Sequence, residues 1–130
     1  MKHLKRRLNV IHKHSASHLH YDLRLEMNGA LRSWAVPKEP PREKGTKRLA
    51  VSVEDHELGY ARFQGTIPEG QYGAGEVEIW DDGYYIPIAV KENSIIADIH
   101  GEKLKGTYCL VKLKPKSEKD KDKSWLFFKR

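Results

Sequence analysis

Between His18 and Met27 the chain alternates without a break. Leu19, Tyr21, Leu23, Leu25 and Met27 are apolar, whereas His18, His20, Asp22, Arg24 and Glu26 are polar. A strand turns successive side chains to opposite faces and a helix does not, so this run reads as a strand with one apolar and one wholly polar face. Asn28-Gly29 follows directly. Both residues tolerate positive φ, which makes the pair the strongest short signal for a two-residue hairpin loop. The return strand is expected over Ala30 to Val36, ended by Pro37.

The rest of the chain repeats this grammar of short apolar runs between Gly, Pro, Asn and Asp, with no helical period and no internal repeat. Strands are expected at Leu8–His12, at Arg48–Glu54 with Leu49, Val51 and Val53 facing inward, and at Glu76–Trp80, closed by Asp81-Asp82-Gly83. Further strands are expected near Tyr85–Val90, Ile95–His100, Thr107–Leu113 and Trp125–Lys129. Lys38–Lys47 and Gly65–Gly75 read as loops, and Lys114–Ser124 as a charge-rich hairpin loop. Many short antiparallel strands in 130 residues point to one closed barrel or sandwich.

Composition narrows the setting. Hydrophobic residues are 38% of the chain, enough for one small core, and no run approaches the roughly 20 apolar residues of a membrane span. The basic start, Met1–Arg7, is not followed by an apolar stretch, so no secretory signal is expected. Cys109 is the single cysteine. It excludes an internal disulfide and a Cys-rich zinc site, reads as a small buried filler, and suggests a reducing, cytoplasmic location.

The net charge of +6 conceals a segregation. Residues 1–48 carry 12 basic and 4 acidic side chains, residues 49–102 carry 2 and 11, and residues 103–130 carry 10 and 3. Two basic ends around an acidic middle suggest a basic face, which attracts polyanions such as nucleic acid.

Chemistry concentrates on the polar face of the first hairpin. Five of the seven histidines, His3, His12, His14, His18 and His20, lie in the first 20 residues. His20 and Asp22 are two apart on one strand face, about 6–7 Å, close enough to converge on one ion. His14 precedes Ser15-Ala16-Ser17, a tight connection able to fold it back beside them. Two imidazoles and a carboxylate with open positions suit a catalytic rather than a structural metal, and zinc, manganese, cobalt and iron all fit. Arg24 shares the face and offers a bidentate fork to phosphate. Arg48 opens another strand as a possible second clamp. His56, just past a strand end, could donate a proton or bind a phosphate oxygen. Gly70-Gln71-Tyr72-Gly73-Ala74-Gly75 matches neither phosphate-loop spacing, and a strand rather than a helix follows, so turns and close packing explain it better.

The run His14-Ser15-Ala16-Ser17-His18-Leu19-His20-Tyr21-Asp22-Leu23-Arg24-Leu25-Glu26 resembles the signature of the 3′-phosphoesterase domain of bacterial DNA ligase D. The similarity continues through Ser33–Lys38, Lys47–Val51, Val53–His56, Gly65–Gly70, Tyr72–Gly75 and Ile79–Asp81. It is weaker at Gly101–Gly106 and Trp125-Leu126. The resemblance implies a mainly β protein: a compact antiparallel β-barrel of about eight strands with short flanking helical turns, residues 1–130 forming one domain.

It also implies an enzyme that heals 3′ ends of nucleic acids, with a divalent metal, manganese first and cobalt or zinc as alternatives. Such enzymes remove a 3′-terminal ribonucleoside, leave a 3′-phosphate, and hydrolyse that to a 3′-hydroxyl. Carried over by motif, His14, His20 and Asp22 would be metal ligands. Arg24, Arg48 and His56 would contact the scissile phosphate, with Tyr60 and Lys38 nearby and Glu54 as a supporting acid. His12 stands where ligase-fused members usually carry Gln and is expected to face the same site in a supporting role. The expected partners are DNA primer-templates and ribonucleotide-terminated strands, with any ligase or polymerase encoded separately and no membrane. Readings from other classes are an end-binding module without turnover and a nuclease that cuts internally.

Overall fold

The computed structural model describes residues 5–115 and 123–130. It contains nine strands: β1 (Arg7–Ser15), β2 (Leu19–Met27), β3 (Ala30–Val36), β4 (Lys47–His56), β5 (Gly65–Ile67), β6 (Gly75–Val90), β7 (Ser94–Gly101), β8 (Lys105–Lys112) and β9 (Ser124–Lys129). A single 3-10 turn, Leu58–Arg62, is the one helical element among the described residues. No helix there is long and apolar enough to cross a membrane.

All strand pairings are antiparallel, in the order β1-β2-β3-β4-β9-β8-β7-β6-β5, and β1 pairs back onto β6. Eight strands therefore close a barrel, and β5 is a short ninth strand laid on β6. Closure removes the free edges that an open sheet would present.

The β2–β3 hairpin starts it. Asn28 has φ 51° and Gly29 φ 82°, the paired positive angles whose twist matches that of the flanking strands. Tyr21, Leu23, Leu25 and Met27 of β2 point into the barrel, where they meet Trp34, Val36, Tyr85, Ile95, Ile99, Tyr108, Leu110, Trp125 and Phe127. Trp34 and Trp125 pack edge to face, centroids 5.8 Å apart. Cys109 is buried, as expected of a filler.

Two expectations fail. On β4 the inward residue is Ala50, fully buried, whereas Leu49 is 43% exposed and Val53 lines an outer cleft. Ala50 pairs with Trp125, and a small side chain is what the space beside two indoles admits. The apolar 49-51-53 set thus lies on the outer face. Second, Asp81-Asp82-Gly83 is no turn; β6 runs through it for 16 residues. The backbone stays extended there. A Cβ on Gly83 would run into the His100 carbonyl, so glycine permits the close approach of β7. Asp81 is buried and accepts backbone N–H bonds from Glu102 (2.8 Å), Lys103 (2.8 Å) and Leu104 (3.1 Å), capping the β7–β8 turn.

Two smaller differences follow from tertiary contacts. β1 extends to Ser15 because β6 pairs along its whole length. The Lys38–Lys47 loop is exposed except at half-buried Thr46 and at buried Pro40 and Pro41, and the Pro41 carbonyl accepts the Tyr108 hydroxyl at 2.7 Å. Most of the expected Lys114–Ser124 loop lies outside the described residues, as does His3.

Asp81→Ala should cost about 2–4 kcal/mol, because three turn N–H groups lose an ionised acceptor. Denaturant unfolding measures it; a loss below about 0.5 kcal/mol would show that the cap contributes little.

Candidate active site

The polar face of β2 does not line the barrel interior. It lies on the outer wall and is roofed by the segment from the 3-10 turn through residue 75. A second apolar cluster, Val10, Leu31 and Ala61 with Leu8, Leu58, Tyr60 and Ile79, fastens that roof. Between wall and roof is a cleft of about 400 Å³, lined among others by His14, His20, Asp22, Arg24, His56 and Tyr60.

Register sets which side chains meet. Across β1 and β2, His14 pairs with His20, His12 with Asp22 and Val10 with Arg24. The His14 and His20 rings stand 4.7 Å apart. Asp22 sits between the groups: Oδ1 lies 3.3 Å from His20 Nε2, and Oδ2 lies 3.6 Å from His14 Nδ1 and 3.3 Å from Arg24 Nη2. One ligand-capable atom from each of His14, His20 and Asp22 falls within 4.8 Å of the others. The outer nitrogens are engaged elsewhere. His14 Nε2 meets the Gly73 carbonyl at 2.8 Å, and His20 Nδ1 meets the His18 carbonyl at 3.1 Å. A carbonyl only accepts, so both outer nitrogens carry a proton and both inner ones face Asp22, His20 Nε2 donating to the carboxylate when the ring is protonated.

Arg24 is 3% exposed and held on three sides. Its Nε donates to His12 Nδ1 at 3.0 Å, Nη1 to Ser33 Oγ at 2.8 Å, and Nη2 to Asp22. Guanidinium nitrogens only donate, so His12 Nδ1 must be unprotonated and its Nε2–H donates to the Phe63 carbonyl at 3.1 Å. Ser33 in turn donates to the Leu31 carbonyl. Three of the five N–H groups are thereby used.

Charge follows this geometry. Burial and then the Arg24 charge lower the His12 pKa to about 4. The hydrogen bond to Asp22 raises His20 above its ordinary 6.5 despite burial. Burial would raise Asp22, but the His20 hydrogen bond and the Arg24 charge outweigh it and hold the carboxyl below its usual range. His56 is lowered by burial and by Arg24.

His56 reaches the cleft through a β-bulge. Leu31 pairs with His56 and Ser33 with Val53, so β4 carries one extra residue around Glu54-Asp55. The bulge shifts the alternation and turns His56 to the same outer face as Val51 and Val53. Its ring stacks on Tyr60 at 4.4 Å, and Tyr60 stacks on Phe63 at 5.0 Å. The Arg24 guanidinium lies 4.9 Å from the Tyr60 ring centre. Glu54 lies at the exposed rim of the cleft.

Of the residues expected at the site, His12, His14, His20, Asp22, Arg24, Glu54, His56 and Tyr60 come together. Arg48 and Lys38 do not line the cleft. Arg48 pairs with Phe127, a core residue, so it leaves β4 on the opposite face, and its Nε donates to the Glu39 carbonyl at 2.9 Å. Lys38 is exposed on the loop after β3. Ser33 had not been singled out, although the hairpin announces it. A two-residue loop fixes the register, and counting back from the Met27–Ala30 pair puts Ser33 opposite Arg24. Gly73 and the exposed Tyr72 form a cleft wall, within a stretch that the sequence reads as turns and close packing. Gly75, at φ 125°, is required because a Cβ there would strike the Ser15 carbonyl.

The profile of the DNA ligase D 3′-phosphoesterase domain matches residues 12–112. Among curated proteins, the chain is 49% identical over 107 residues to the multifunctional non-homologous end joining protein LigD of Pseudomonas aeruginosa. It is 45% identical over 119 residues to that of Mycolicibacterium smegmatis and 45% over 107 residues to LigD of Mycobacterium tuberculosis. These matches cover 78%, 83% and 79% of this chain but 13%, 16% and 14% of the relatives. The profile spans the hairpin, the bulge and the roof that together build the cleft, and the chain belongs to the DNA ligase D 3′-phosphoesterase domain family.

Proposed function

We propose that the chain is a metal-dependent phosphoesterase of nucleic-acid 3′ ends in DNA repair. It removes a 3′-terminal ribonucleoside to leave a 3′-phosphate, then hydrolyses that phosphate to a 3′-hydroxyl. The observation that carries the reading is the convergence of His14, His20 and Asp22 beside a buried, pre-aimed arginine in an open cleft. Membership of the ligase D family supports the substrate class.

The donor set fits a divalent cation. The inner nitrogens of His14 and His20 and a carboxylate face one another, and the histidines' other nitrogens are hydrogen-bonded outward, the arrangement that orients metal-binding imidazoles once their inner nitrogens are deprotonated. Manganese is the preferred ion, with cobalt and zinc as alternatives. When bound, the cation supplies Lewis-acid polarisation of a phosphate oxygen.

The chain's own groups do the rest. Asp22 and Arg24 neutralise each other before substrate arrives. Arg24 keeps two N–H groups free of protein partners, and these bind the phosphate and stabilise charge that develops on it. His12 and Ser33 hold the guanidinium plane, so little reorganisation accompanies binding. His56, neutral at rest, donates one N–H to a phosphate oxygen; the approaching anion favours its protonation and makes it a proton source for the leaving oxygen. Tyr60 supports the His56 ring by stacking, and Glu54 adds negative charge at the rim.

A labelled primer ending in one ribonucleotide, annealed to a template, tests the reading. Manganese should give stepwise 3′-phosphate and 3′-hydroxyl products, and EDTA should stop both. Binding without product would favour the end-binding module, and cleavage of circular strands the nuclease. His20→Ala should lower turnover by more than about 100-fold, and Arg24→Lys by about 100- to 1,000-fold; near-normal rates in either variant would remove the assigned role. His12→Ala should reduce kcat/KM about 10-fold by leaving the Arg24 Nε–H without its acceptor. His12→Gln, which restores an acceptor oxygen, should recover most of the loss.

Metal binding should depend on pH. Because Asp22 raises the His20 pKa in the metal-free state, a proton competes for Nε2. Apparent manganese affinity should rise as pH increases through that raised pKa, with proton release visible by calorimetry in buffers of different ionisation enthalpy. A flat profile between pH 6 and 8 (the span around the ordinary value near 6.5) would exclude His20 as a ligand.

A further inference from the structure

One end of the barrel gathers the basic segments that flank the acidic middle of the sequence. β3 and β9 finish there, and β4 and β8 begin there. Lys44 bridges to Lys129, and Lys129 Nζ donates to the Arg42 carbonyl at 3.3 Å. Arg42 and Lys103 both lie over the Trp80 ring, at 5.4 and 4.9 Å from its centre, and Lys47 lies 5.0 Å from that of Phe128. Arg42, Lys44, Lys47 and Lys103 are exposed. Among the described residues, none of these five basic side chains makes an ion pair; the ion pairs of lysine or arginine there are Arg24–Asp22 and Arg62–Asp82. Cations that share aromatic faces instead of carboxylates keep their charge for an outside anion.

This end adjoins the cleft. β1 finishes and β2 begins at this end, and Ala16 and Ser17 between them line the cleft. Lys38 and Arg48, which leave the cleft, belong to this same end of the barrel. We propose that the Arg42–Trp80–Lys103 surface, with Lys44, Lys47 and Lys129 around it, binds the phosphodiester backbone of the nucleic-acid strand whose 3′ end enters the cleft. The direction of that strand rests on the end-processing reading; the backbone binding does not. The surface recognises repeated phosphates without reading bases, since Lys and Arg on exposed loops contact backbone charge.

Two double variants of equal charge change test this. Arg42→Gln/Lys103→Gln alters the proposed surface. Lys91→Gln/Lys114→Gln alters exposed lysines at the other end of the barrel. Binding of a labelled single strand of about 20 nucleotides, in EDTA, is followed against salt by anisotropy. The first pair should lower the slope of log K on log salt by about 1.4, two phosphate contacts at about 0.7 each, and the second should leave it unchanged. Equal slopes for both pairs, with both proteins folded by circular dichroism, would overturn the proposal. With manganese, the first pair should raise KM for the long strand several-fold and leave kcat unchanged. Wild-type binding that loses its slope in the first pair, without turnover of any 3′ end, would retire the phosphoesterase reading and leave the surface standing.

Discussion

A guanidinium with 3% exposure is tolerable only where every neighbour is arranged for it. A buried charge without a partner costs several kcal/mol, and Arg24 has a carboxylate, an imidazole lone pair and a hydroxyl. Each partner is constrained in turn. Asp22 has to stay ionised, His12 has to stay neutral in one tautomer, and Ser33 has to send its proton to Leu31. The roof is tied in through His12 and the Phe63 carbonyl and through His14 and the Gly73 carbonyl. Arg24 thus ties three strands and a covering segment into one polar unit.

That unit stands outside the barrel. The interior is a packed aromatic and aliphatic core, and the cleft uses the reverse side of the same strands. One sheet thickness separates the two. The alternation of β2 therefore serves twice: its odd positions hold the fold and its even positions line the cleft. Core packing fixes where the strand backbones lie, and the backbones fix the distances among His14, His20, Asp22 and Arg24.

Much of this was legible in the sequence, because it depends on local periodicity. The β2–β3 hairpin and the polar face of β2 follow from alternation and a two-residue loop, and the grouping of His14 with His20 and Asp22 from the tight connection after Ser15. What escaped was decided by contacts distant in sequence. The face of β4 is set inside the barrel, where Ala50 pairs with Trp125 in the core that Trp34 also fills. The Asp81-Asp82-Gly83 segment carries turn residues, yet β7 needs Gly83 for its approach and the β7–β8 turn needs Asp81 for its cap. Arg48 has the right charge for the cleft and the wrong side of its strand. The resemblance identified the family and most of the cleft, but it could not show which face each strand presents.

The bulge at Glu54-Asp55 makes the position of His56 a matter of counting. A strand has two faces, and the side on which a residue emerges depends only on whether an odd or even number of residues precedes it. Here one surplus residue changes odd to even between Val53 and His56. A chain with the same residue types and one fewer in that interval could close the same barrel, keep His14, His20, Asp22 and Arg24 in place, and present its histidine to the other side of the wall. The cleft thus depends on something no side chain carries: the length of a segment, Glu54-Asp55, whose own residues are exposed. Alignments that slide a gap through this stretch would treat as equivalent two proteins whose fourth strands face opposite ways.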